Sequence, residues 1–135
     1  MKPKRIMEHI PSFLDADPFS NELGIKLESV SDNSAVLSLS VTQKHLNGHG
    51  TVHGGVIYSL ADAAFAVACN ADGIPSVAIN TSVTYMKSIK SGKLIAKAYE
   101  FSKNHRLGSY IVEVYDDGGE KIAVFQGLAY RKSKK

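Results

Sequence analysis

Between Val56 and Cys69 the chain reads VIYSLADAAFAVAC, an alanine-rich run that is apolar or small at nearly every position. It begins just after a glycine-rich segment, Asn47 to Thr51, and closes at Ala71-Asp72-Gly73 with Pro75 beyond. The spacing therefore predicts one long helix from about His53 to Asn70. A helix apolar nearly all round cannot lie on a wet surface and has to be enclosed. What remains of the chain offers mostly strands to enclose it. Gly24 to Val30 and Ala35 to Val41 read as a hairpin across Ser31-Asp32-Asn33-Ser34, with Leu37, Leu39 and Val41 on one face. Ser76 to Met86, Lys93 to Phe101, Gly108 to Tyr115 and Lys121 to Tyr130 follow, separated by Ser91-Gly92, Asn104 and Asp116-Asp117-Gly118-Gly119. The order β-β-α-β-β-β-β is that of an α+β protein in which a curved antiparallel sheet wraps one central helix. A short helix over residues 4 to 14, interrupted by Pro11, is expected ahead of it.

One residue disturbs the apolar run. Asp62 stands in its middle with no basic residue near it in sequence, and burying a lone carboxylate costs several kcal/mol unless something compensates. At 3.6 residues per turn, Gly55, Ser59, Asp62, Ala66 and Cys69 share one side of the helix, a stripe of small and partly polar residues. The other sides carry Val56, Ile57, Leu60, Phe65 and Val67, which suit a core. At the helix start, Gly54 and Gly55 let another atom approach backbone N–H groups that have no acceptor within the helix and carry its positive dipole end. An oxyanion donor and a carboxylate base or nucleophile are the two parts that acyl transfer needs. Gly55 and Asp62 lie about 10 Å apart along the axis, too far for one carbonyl group to bridge. An antiparallel copy of the same helix would bring Asp62 of one chain near Gly55 of the other, so an isologous dimer with shared sites is expected. A buried helix aspartate can equally cap a loop or satisfy backbone N–H groups.

Composition narrows the classes. The chain of 135 residues is one expected domain, 1–135, with a net charge of +3. Four of the positive charges are Arg131, Lys132, Lys134 and Lys135, and setting them aside leaves −1. They read as a frayed basic tail over about 131–135, and no basic stripe interleaved with aromatics points to nucleic acid. Cys69 is the only cysteine, which excludes an intrachain disulfide and suits a reducing compartment. The first fifteen residues lack a signal-peptide apolar run, and Val56 to Cys69 is too short to span a bilayer, so a cytoplasmic location without membrane contact is expected.

The run Asn47-Gly48-His49, then His53-Gly54-Gly55, then Leu60-Ala61-Asp62 resembles the hotdog-fold acyl-CoA thioesterases of the phenylacetic-acid-degradation (PaaI-like) group. The likeness runs from about Phe19 to Arg131, and the element order agrees with the hotdog fold. It implies a thioester hydrolase in which Asp62 acts as general base or nucleophile. The Gly55 amide would polarise the thioester carbonyl, Asn47 would stand near the carbonyl or the attacking water, and His53 would shape the helix entry. It further implies an aryl-acetyl-CoA or medium-chain acyl-CoA substrate, no separate cofactor since CoA belongs to the substrate, and a homotetramer built from two dimers. The CoA phosphates need positive charge, for which Lys87, Lys90, Lys103, Asn104 and Arg106 at turns are candidates, Lys87 and Arg106 foremost.

Other chemistries fit less well. His45, His49 and His53 are spaced by four, yet Gly48 and Gly50 argue against a helix there and no acid or thiol stands beside them, so no metal is expected. Gly48-His49-Gly50 with Gly54 lacks the spacing of a dinucleotide loop. Ser59 has no histidine placed to activate it. Two rivals stay open: a hotdog enoyl-CoA hydratase or dehydratase, and a non-catalytic acyl-CoA-binding protein.

Overall fold

The computed structural model describes residues 13–132. The helix expected over residues 4 to 14 lies outside them except for its last two residues, of which Leu14 is buried in the core. The elements are α1 (Pro18–Leu23), β1 (Lys26–Ser31), β2 (Ser34–Ser40), a 3-10 turn (Gln43–His45), α2 (Gly54–Asn70), β3 (Ser76–Tyr85), β4 (Lys93–Lys103), β5 (Leu107–Asp116) and β6 (Lys121–Arg131). The order β-β-α-β-β-β-β stands, with α1 and the 3-10 turn added. Both are too short to show a helical period in sequence.

All six strands form one antiparallel sheet in the order β1-β2-β4-β5-β6-β3. It curves around α2, whose Leu60, Ala61, Ala64, Phe65, Val67 and Ala68 are at most 1% exposed. Leu37, Leu39, Leu94, Val112, Val114, Ile122 and Phe125 meet them from the sheet. Phe65 is the keystone, with the rings of Tyr110 and Phe125 each 5.7 Å away. A Cβ at Gly127 on β6 would stand 2.7 Å from the Phe65 ring, so only glycine lets that strand pass over it.

Two expectations need correction. Cys69 is 2% exposed and belongs to the core, and its thiol is pushed up to about 12 by burial. The outward stripe of α2 is Gly55, Ser59, Asp62, Ala66 and then Asn70, because 3.6 residues per turn carries the open face one position past Cys69. Arg131 is not part of a frayed tail. It ends β6, is 7% exposed and binds Asp72, while the Lys132 amide donates to the Pro75 carbonyl.

β3 is an edge strand exposed along most of its length, including Val77, Ile79 and Tyr85. Three polar links tie it to α2. Asn70 donates to the Ser76 carbonyl and accepts from the Ser76 N–H, Tyr58 and Thr81 share a hydroxyl hydrogen bond of 2.6 Å, and Tyr85 Oη donates to the Gly54 carbonyl at 2.9 Å. Among the described residues no helix is long and apolar enough to cross a membrane.

Candidate active site

α2 opens at His53, whose extended backbone makes it the N-cap. Its Nδ1 accepts a hydrogen bond of 2.9 Å from the Gly55 N–H, and its carbonyl accepts from Val56 and Ile57. The amide expected to receive a substrate carbonyl is therefore held by His53 in this state. The cause is simple, since an N-cap side chain satisfies whichever first-turn donor lies within its reach. The Gly54 N–H has no acceptor among the described residues. His53 is exposed, so a turn of its ring frees the second amide beside the first.

A cavity of about 350 Å³ opens at this end of the helix, lined by Val52, Gly54, Ile57, Tyr85, Met86, Lys87 and Ser88. Two turns further along the same open stripe, Asp62 is half-buried and makes no hydrogen bond or ion pair with any described residue. Burial raises its pKa above the ordinary aspartate value, and the charge of Asp17 adds to the rise. Asp17 is the residue before α1 and accepts from Ser20 Oγ at 2.9 Å. Ser59, between the glycines and Asp62, donates back to the Gly55 carbonyl at 2.7 Å.

Asn47 has its Oδ1 committed to its own loop, accepting from the N–H groups of His49 and Thr51 and from Thr51 Oγ1, which leaves the Nδ2 amide as its open group. The three regularly spaced histidines take separate duties. His45 is buried, accepts from the Thr42 N–H at Nδ1 and donates from Nε2 to the Leu23 carbonyl; His49 lies in the exposed loop; His53 caps α2.

The candidate phosphate binders separate. Lys87 lines the cavity beside Gly54 and pairs with Glu120, both exposed. Lys103 reaches Asn33, Asp72 and Glu100 at the opposite end of α2. Asn104 Oδ1 shapes the β4–β5 turn by accepting from the N–H groups of Arg106 and Leu107, and Arg106 donates to Tyr130 Oη at 3.3 Å. α2 has 17 residues, so its two ends lie roughly 25 Å apart. Within one chain, Lys87 and the group Lys103, Asn104 and Arg106 cannot serve one phosphate cluster. Sequence alone does not single out Tyr85 or Asp17: Tyr85 reads as one more apolar position of an alternating strand, and Asp17 precedes a helix too short to leave a period.

The sequence model of the thioesterase superfamily matches residues 49–123. The acyl-coenzyme A thioesterase PaaI of Escherichia coli is 34% identical over 116 residues, spanning 85% of this chain and 83% of that protein. Human acyl-coenzyme A thioesterase 13 is 32% identical over 121 residues, 87% of this chain and 86% of that protein. Among solved structures, the E. coli PaaI protein from the phenylacetic acid degradation operon superposes with a TM-score of 0.93 at 29% identity, covering 98% and 97% of the two chains. By sequence and by fold alike, the chain belongs to the thioesterase superfamily, as a hotdog-fold member of the PaaI-like acyl-CoA thioesterases.

Proposed function

We propose that the chain hydrolyses the thioester of an aryl-acetyl-CoA or medium-chain acyl-CoA, with Asp62 as the base or nucleophile. The observation that carries this reading is the unpaired Asp62 carboxylate on the same open helix stripe as Gly55, with the first-turn amides at the head of that helix. Attack on the carbonyl carbon, by water that gives its proton to Asp62 or by Asp62 itself, puts negative charge on the carbonyl oxygen. Amides at the positive end of α2 stabilise that charge, and an oxyanion donor of this kind contributes about 3 kcal/mol. The C–S bond then breaks, CoA leaves as its thiolate and takes up a proton, and the acid is released. Where Asp62 attacks, water opens the resulting anhydride in a second step.

The separation of Gly55 and Asp62 along one helix favours a homodimer with shared sites, in which Asp62 acts on a carbonyl held by the partner's helix. The long bare edge of β3, with Val77 and Ile79 exposed and Met86 just beyond its end, suits such pairing. An antiparallel partner would also bring Lys103, Asn104 and Arg106 of one chain toward Lys87 of the other. A homotetramer of two such dimers goes with the resemblance, and a groove of about 330 Å³ on the outer sheet face, beside the exposed Phe101, offers a second apolar contact. Acyl preference follows PaaI by similarity, and a cytoplasmic location goes with the single, buried cysteine.

The test is thiol release from a panel of acyl-CoAs by wild type and Asp62→Asn. The expected result is loss of turnover by about a thousandfold with the fold intact. Near-normal turnover in Asp62→Asn would sink the assignment, and enoyl-CoA hydration without thiol release would transfer it to the hydratases.

A further inference from the structure

Tyr85, the last residue of β3, does more than line the cavity. Its hydroxyl donates to the Gly54 carbonyl at 2.9 Å. The hydroxyl end of its ring lies close to the same residue: a Cβ added to Gly54 would stand 3.2 Å from both Cζ and Oη of Tyr85. Gly54 thus owes its bareness to a tyrosine of its own chain, whereas the neighbour of Gly55 is the His53 ring, 3.1 Å from an added Cβ. The two glycines serve different purposes.

The Gly54 carbonyl and the Gly55 N–H are opposite ends of one planar peptide group. Fixing one end fixes the direction of the other. A hydrogen bond accepted by the carbonyl also polarises the amide and makes its N–H a stronger donor. The Gly54 N–H, which has no acceptor among the described residues, belongs to the residue held at its carbonyl. The phenol is protonated at neutral pH like any tyrosine, and burial and the neighbouring Tyr58 raise its pKa further.

We propose that Tyr85 is a positioning residue for thioester hydrolysis: by gripping the Gly54 carbonyl it aims and strengthens the Gly55 amide donor at the start of α2. The inference rests on the thioesterase reading of the site and adds to it a group that never touches the substrate. β3 thereby carries an edge open to a second chain and, at its last residue, the support for the oxyanion site.

Tyr85→Phe keeps the ring against Gly54 and removes only the hydroxyl. The expected result is a fall in kcat of about three- to tenfold with KM unchanged within about twofold, and an upfield shift of the Gly55 amide proton in glycine-labelled protein. Tyr85→Leu, which removes ring and hydroxyl together, should lose at least as much. Wild-type kcat in Tyr85→Phe beside an impaired Tyr85→Leu would reduce Tyr85 to packing and overturn the proposal, as would a rise in KM at constant kcat. Asp62→Asn is assayed in parallel. If it keeps turnover, the thioesterase reading of the site fails by itself, and the resting-state Gly55 amide then decides the positioning role: an unmoved resonance in Tyr85→Phe overturns it.

Discussion

Asp62 and Asp72 stand ten residues apart, one in the body of α2 and one just past its end, and the molecule treats them in opposite ways. Asp72 accepts from the Ile74 N–H at 3.1 Å, from Arg131 at 3.0 Å and from Lys103 at 3.3 Å. Burial alone would push its pKa up, but those donors outweigh it and hold the carboxyl below the usual aspartate value. Around it most polar groups are matched: Asn33 donates to the Ala68 carbonyl and to Tyr110 Oη, each at 3.0 Å, while its own oxygen receives Lys103; Arg131 Nε alone is buried without a partner among the described residues. Asp62 has burial without a donor, and its pKa is raised. Asp62 keeps its hydrogen-bonding capacity unspent in the middle of α2, whereas the carboxylate just past the helix end is fully engaged.

That contrast can be broken experimentally. The largest effect expected is the thousandfold loss of thiol release in Asp62→Asn, and the same variant should be more stable than wild type at neutral pH, with a melting temperature higher by about 2 to 5 °C. Asp72→Ala should do the reverse. It leaves Arg131 buried without its partner and should cost about 2 kcal/mol in denaturant unfolding, while turnover per folded molecule stays within twofold.

Titration sharpens the comparison. Asp62 has a folded pKa above its unfolded value, so its ionisation costs stability as pH rises through that window. The advantage of Asp62→Asn should be absent below the ordinary carboxylate range and should grow as pH rises from there through the raised folded value. Asp72 has a folded pKa below its unfolded value, so its contribution is present above the ordinary carboxylate range and is lost as pH falls through the lowered value. The deficit of Asp72→Ala should therefore shrink on acidification. Thermal melts of both variants across pH 3 to 8 check the two signs. Smallest of all, His53→Ala removes the cap on the Gly55 N–H and should cost about 1 kcal/mol.

Much of this architecture is legible in the residues. The apolar run from Val56 to Cys69 demands a wrapping sheet, and strand alternation supplies it with boundaries that hold to within two residues. Asp62 announces itself because a charge in an apolar run has no local explanation. What the sequence hides is pairing across long separations. Arg131 looks like tail charge until Asp72, 59 positions away, is seen to bind it. Lys103 looks like a surface lysine until Asn33, 70 positions away, is seen to use it. The N-cap contact of His53 with Gly55 is local, yet side-chain direction rather than residue type decides which first-turn amide it occupies.

The three links between β3 and α2 reach further than local stability. A strand fastened to the helix at its start, middle and finish cannot shift its register without dragging the glycine step along, so strand and helix behave as one beam. Any subunit that docks along that beam would brace the first-turn amides of α2 from behind, and dilution that releases the neighbour should loosen them. Turnover per chain would then depend on protein concentration even where every substrate-touching residue sits within a single protomer.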